Sequence, residues 1–221
     1  MTFSLLGRCP ATGQLGAAVT TSDLAVGARV PHAEAGVAVA VTQHRTDPRL
    51  GPRALALMRS GCTAPEAVAA VAESTEHRWW RQVAVLDAEG EAGAFSGEGV
   101  TPVRVALEGT DCVAVGNMLA SERVAPAMVE AFAGLRGRPL AGRLLAGLEA
   151  GLAAGGETGR LRSAALLVVE REPFPLVDLR IDDSDDPLPA LRSLWEAYEP
   201  WAADFVRRAL DPDAATGQPE S

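Results

Sequence analysis

The chain has 221 residues, 48% of them hydrophobic, and its formal charge of -9 argues against nucleic acid or an anionic membrane surface as a partner. No apolar run reaches the ~20 residues of a membrane span, and the first residues lack the basic patch and apolar stretch of a signal peptide. One domain over residues 1–210 is therefore expected, cytoplasmic, with a disordered polar tail over 211–221.

In chain order, Phe3 to Arg8 reads as a strand, Cys9-Pro10-Ala11-Thr12-Gly13 as a turn and Gln14 to Thr21 as the returning strand of a hairpin. A loop from Leu24 to Pro31 leads to a third strand, Gly36 to Gln43, apolar on both faces and so expected between layers. Pro52 lies in the first turn of a helix that runs to Arg59 and is closed by Gly61. Thr63-Ala64-Pro65-Glu66 carries the cap residue, proline and acid of a second helix start. Arg81 to Leu86 and Glu91 to Ser96 form a second hairpin around Asp87-Ala88-Glu89-Gly90, and Val103 to Leu107 and Cys112 to Val115 are two further strands. Helices follow from Ser121 to Phe132 and from Pro139 to Ala153, the latter closed by Gly155-Gly156. Ser163 to Glu170 and Leu176 to Ile181 are the last strands, and an amphipathic helix runs from Pro187, with Leu188, Leu191, Leu194, Trp195 and Tyr198 on its apolar side. Strands and helices grouped in this order predict an α+β domain, two antiparallel sheets with helices on the outer faces.

All 20 basic residues are arginine, which removes Ser-Lys dyads, Schiff bases and a phosphate-loop lysine. Cys9, Cys62 and Cys112 are odd in number and widely spaced, as reduced thiols are, and with His32, His44 and His77 they form no metal-ligand spacing; no metal is expected. A cysteine-dependent activity at Cys9 or Cys112 has no histidine placed to activate it. The acidic run Asp182-Asp183-Ser184-Asp185-Asp186 lacks the glycine and glutamate of a calcium loop and reads as a solvated helix start.

Thr2 stands directly behind the initiator methionine, which a small second residue allows to be removed. The mature chain would then carry a hydroxyl and a free α-amine of pKa about 8 on one residue, a nucleophile and its base. By position alone the favoured reading of Thr2 is an ordinary β-branched residue opening a strand. Gly116-Asn117, with the only asparagine of the chain, closes a strand where an amide could meet an oxyanion or simply tolerate a turn. Thr42-Gln43 close the third strand, and Ser22-Asp23 open the Leu24 loop; both pairs face a cleft or merely leave the core. Trp79-Trp80, Trp195 and Trp201 hint at self-association, taken as a homodimer.

Thr2-Phe3-Ser4, Leu24-Ala25-Val26-Gly27 with Val30-Pro31, Thr42-Gln43, Pro48 with Gly51-Pro52, Arg81-Gln82-Val83-Ala84-Val85 and Gly116-Asn117-Met118-Leu119 occur in this order. Ser163-Ala164-Ala165-Leu166-Leu167-Val168 and Asp178-Leu179-Arg180 with Asp182-Asp183 complete the series. On these blocks the chain resembles, over residues 2–195, the bacterial family filed as domain of unknown function 1028. That resemblance implies the four-layer αββα sandwich of N-terminal-nucleophile hydrolases, which cleave amide bonds. It implies Thr2 as nucleophile, Asn117 as oxyanion donor, a small-molecule amide as substrate and no cofactor. Ser22, Asp23, Thr42, Gln43 and Gly116 are the expected substrate-binding positions. The chain departs from the family pattern at Gly159-Arg160-Leu161-Arg162, where an Arg-Gly-Arg-Gln run is usual, and at Phe95-Ser96-Gly97, where His-Thr-Gly is usual. It departs again at Asp47-Pro48 and Leu50-Gly51, where Asn-Pro and Tyr-Gly are usual. A cleft filled by Phe95 or Leu161 would favour a non-catalytic binding or assembly protein; an open one beside Thr2, lined by Asn117 and Thr42, would favour an enzyme.

Overall fold

The computed structural model describes residues 1–215. Its strands are β1 (Thr2–Cys9), β2 (Gln14–Thr21), β3 (Pro31–Glu34), β4 (Ala38–His44), β5 (Arg81–Asp87) and β6 (Ala92–Ser96), then β7 (Val105–Gly109), β8 (Cys112–Asn117), β9 (Ser163–Val169) and β10 (Val177–Ile181). They pair antiparallel throughout, six in the order β10-β9-β2-β1-β8-β7 and four in the order β3-β4-β5-β6.

The period of two along each strand decides the layers. On β1, Phe3 and Leu5 pack outward with Ala114 of β8 and Leu166 of β9, under helices α3 (Val124–Gly134), α4 (Leu140–Ala153) and α5 (Pro187–Tyr198). Leu6 points the other way, into a core shared with Val19 of β2, Val39 and Val41 of β4, and Ala84 and Leu86 of β5. The outer face of the four-stranded sheet, Ala38, Ala40, Val83 and Val85, is covered by α1 (Leu50–Arg59) and α2 (Ala64–Glu73). The result is four layers, helix, sheet, sheet, helix, with β1 and β4 facing each other at the centre. Gly147 lets α4 lie against β1, since a Cβ there would sit 2.2 Å from Leu5 Cδ2.

Several boundaries differ from the sequence reading. The third strand begins at Ala38 rather than Gly36, and Pro31, placed in the loop, instead opens the short edge strand β3. Proline has no N–H to donate, so it is tolerated at such an edge. The terminal helix is broken at Glu199-Pro200-Trp201, a 3-10 turn from which α6 (Ala202–Leu210) departs. Residues Pro212–Ala214 form a further 3-10 turn, and the rest of the expected tail, 216–221, lies outside the described residues. Helix α2 starts with the anticipated cap, a reciprocal box between Thr63 and Glu66. Of the four tryptophans only Trp79, at 46%, is well exposed, whereas Trp195 is buried on the inward face of α5. No helix among the described residues is long and apolar enough to cross a membrane.

Candidate active site

The registers of β1 with β2 and β8 set Thr21, Thr2 and Asn117 side by side, in one row across the three central strands. All three are buried, Thr2 at 6% exposure. Since Leu6 faces the inter-sheet core, Thr2 and Ser4, in step with it, face the same layer. At the end of that layer lies a polar cleft of about 330 Å³ whose floor is Thr2 and Thr21 and whose walls include Asp23, Arg29, His44 and Arg45. A second cavity, about 290 Å³ between Phe174, Leu176, Val206 and Leu210, lies apart from all candidate residues.

Met1 occupies the start of the row. The Thr2 hydroxyl donates to the Met1 carbonyl at 2.5 Å and lies 3.2 Å from the Thr21 hydroxyl, which also donates to that carbonyl. The Met1 thioether accepts from the Thr158 hydroxyl at 3.1 Å.

Behind the row runs a buried polar network. Ser4 Oγ donates to Gln43 Oε1 at 2.7 Å, Gln43 Nε2 to Gln82 Oε1 at 2.7 Å, and Asn117 Nδ2 to the same Gln82 oxygen at 2.9 Å. Gln82 Nε2 donates to the Gly116 carbonyl and to Ser96 Oγ, both at 2.9 Å. The carbonyl can only accept, so it orients the Gln82 amide, which in turn directs the amide nitrogens of Gln43 and Asn117 inward. Asn117 thereby keeps one N–H beyond its bond to Gln82, while its Oδ1 is buried without a partner.

His44, in the left-handed region at φ 69, closes one wall. Its Nδ1 faces the Trp80 carbonyl at 3.0 Å and so bears the proton, leaving Nε2 to accept from the Thr101 N–H at 3.4 Å. Burial first, then the N-terminal charge and Arg45, push its pKa below the usual histidine value. It is a neutral wall residue engaged on both nitrogens. Arg29 pairs with Asp23 at 3.0 Å, and Arg45 lies over the Trp80 ring at 4.1 Å.

The second acid near the chain start is Glu157. It is 7% exposed, and neither carboxylate oxygen makes a hydrogen bond of good geometry. Burial pushes its pKa up to about 7, offset in part by the nearby Ser22 hydroxyl and amide and by the N-terminal ammonium.

Measured against the sequence reading, the fold brings Thr2, Asn117, Gln43 and the Ser22-Asp23 turn into one region. Thr42 is not part of it. Neighbouring residues on a strand face opposite ways, so with Gln43 inward Thr42 points to the helical side, where its hydroxyl reaches the Asp47 carbonyl at 3.4 Å. Gly116 contributes only its carbonyl, to Gln82. Asn117 sits behind the cleft rather than in its lining. Phe95 does not fill the cleft: it packs on the outer face of its sheet beneath Arg78, and Ser96 is the inward residue. Leu161 is buried in the outer helical core. The acidic run is tied into ion pairs, Asp183 with Arg162 at 2.9 Å and Asp185 with Arg160 at 2.6 Å. Ser4, Gln82, Glu157, His44 and Arg45 escaped the sequence reading. For Gln82 a signal existed, a lone amide opening an otherwise apolar strand.

No curated protein matches the chain. The crystal structure of a Silicibacter pomeroyi protein assigned to the DUF1028 family model superposes with a TM-score of 0.86 and 34% identity, covering 94% of this chain and 90% of that one. The ancestral β-subunit Anbu from Yersinia bercovieri aligns remotely, at a TM-score of 0.42 and 9% identity over 93% of this chain and 97% of that one. The model of the family of unknown function DUF1028 matches residues 2–191, and the chain belongs to that family.

Proposed function

We propose that the protein is an amide-bond hydrolase that uses Thr2, freed of Met1, as its nucleophile on a small substrate. One observation carries this reading: the Thr2 hydroxyl lies on the floor of an open polar cleft, at the start of a central strand. The Thr2 Oγ attacks the amide carbonyl carbon while its proton passes to the α-amine. Collapse breaks the C–N bond, and the α-ammonium returns that proton to the leaving nitrogen. Water then attacks the threonyl ester, gives a proton to the amine and releases the acid, and the proton returns to Oγ. Backbone N–H groups at the cleft floor and the remaining Asn117 N–H are the candidate donors to the oxyanion. With no lysine in the chain, the α-amine is the strongest base at the cleft that can be free near neutral pH.

The lodging of Met1 on Thr21 and Thr158 favours a second reading, a non-catalytic binding or assembly protein on the same scaffold. The two part on the N-terminal mass of the protein made in its own cells: Met1 intact throughout the population refutes the hydrolase. Where Met1 is absent, a screen of amides and lactams should show turnover that Thr2→Ala abolishes. Stability should fall by only about 1–2 kcal/mol in that variant, because Met1-free Thr2 loses just the long hydroxyl contact to Thr21 and one buried methyl.

A further inference from the structure

We propose that Glu157 is the positioning residue for the chain's α-amine, holding the Thr2 nitrogen in a charge-assisted hydrogen bond once Met1 is gone. This rests on the reading of Thr2 as nucleophile but is tested separately from it.

Strand register defines the slot in front of Thr2. Thr2 pairs with Thr21 on one side and Asn117 on the other, so the slot just before it is bounded by Ser22 and Met118. The segment around Glu157 closes that slot from both sides. Glu157 bridges to Leu119, Thr158 N–H donates to the Met118 carbonyl at 3.0 Å, and Ala120 N–H to the Gly156 carbonyl at 2.9 Å. Toward β2, Ser22 is the polar neighbour of the carboxylate, and a Cβ on Gly159 would meet Ser22 Cβ at 3.3 Å and Met1 Cε at 2.6 Å.

The carboxylate itself is costly to bury. Neither Glu157 oxygen makes a hydrogen bond of good geometry, though the Ser22 hydroxyl and amide lie near it, and Glu157 has no ion pair among the described residues. A buried acid in that state is destabilising unless a cation or donor completes it. Arg160 and Arg162, the nearest cations in sequence, are committed to Asp185 and Asp183. The N-terminal ammonium is the cation that acts on Glu157, and removal of Met1 places a new one at Thr2 N, inside the slot. Such a contact fixes where the amine nitrogen points relative to its own hydroxyl, which is what a base on the same residue requires. The other charged or titratable groups that line the cleft are His44, Asp23, Arg29 and Arg45.

The lysine-free sequence makes the test clean, because the α-amine is the one aliphatic amine that acetic anhydride can label. Competitive acetylation across pH, against an internal standard amine, gives the α-amine pKa in Met1-free protein. Glu157→Gln should lower it by about 1 unit or more relative to the parent, and Glu157→Asp should restore most of the difference. Asp23→Asn, which removes a cleft carboxylate already paired with Arg29, should shift it less than Glu157→Gln. An α-amine pKa unchanged in Glu157→Gln, with near-ultraviolet circular dichroism matching the parent, overturns the proposal. So does a larger shift from Asp23→Asn. If the native protein keeps Met1, the hydrolase reading fails, yet protein trimmed with a methionine aminopeptidase still decides the Glu157 contact.

Discussion

Replacing Gln82 by leucine tests whether the buried network holds the two sheets in register behind the cleft. Gln82 is fully buried and makes four bonds of good length: from Gln43 at 2.7 Å, from Asn117 at 2.9 Å, and to Gly116 O and Ser96 Oγ at 2.9 Å each. At about 1 kcal/mol net per bond, leucine, one heavy atom smaller, should cost about 4 kcal/mol, because the partners stay buried with nothing to bond. For a chain of this size that corresponds to a fall in Tm of about 8–16 °C. Gln43→Leu loses two bonds, to Ser4 and Gln82, and should cost about 2 kcal/mol. The double variant should fall short of the sum by about 1 kcal/mol, since the Gln43–Gln82 bond is counted in both. Equilibrium urea unfolding of the four proteins, fitted with a common m-value, provides the numbers. A cost below about 1 kcal/mol for Gln82→Leu would refute the network as a structural element, and strict additivity would refute the shared bond.

Two electrostatic predictions concern single carboxylates, Asp47 and Glu157. Asp47 accepts from the Arg49 side chain and amide, and these bonds hold its carboxyl down at about 2. Its stabilisation is complete above the ordinary carboxylate range and is lost as pH falls through the folded value, so Asp47→Asn should cost about 1–2 kcal/mol at pH 7 and much less at pH 2. That figure is discounted because Arg49 is exposed. Glu157 behaves in the opposite sense. Its folded pKa of about 7 lies above the ordinary glutamate value, so the folded chain binds the extra proton and stability falls as pH rises between about 4.5 and 7. The loss is at most about 3 kcal/mol, and Glu157→Gln in Met1-bearing protein should flatten this part of the profile in denaturant melts from pH 4.5 to 8; an unchanged slope would contradict the assignment.

Much of the scaffold was legible because its signals are local. The turn around Pro10 and Gly13, the Thr63–Glu66 cap and the apolar run of β4 each announce themselves within a few residues. What was missed is of two kinds. The edge strand β3 is four residues long and opens with a proline, which leaves little pattern to read, whereas the break before α6 did carry a local signal, Pro200, that the sequence reading passed over. Thr42 was placed at the site together with Gln43 although strand alternation separates them, an error that the period of two could have prevented.

By itself the sequence determined the order of strands and helices, the loss of all lysine chemistry, and Thr2 as the residue to watch. Those follow from periodicity, composition and position, none of which requires the chain to be folded. Only the tertiary structure decided what surrounds Thr2. The Thr21–Thr2–Asn117 row comes from the pairing of β1 with β2 and β8, and the Ser4–Gln43–Gln82–Asn117 chain needs both sheets face to face. Glu157 becomes notable only once burial strips it of water and hydrogen-bond partners, a property of its neighbours rather than of its letter in the sequence.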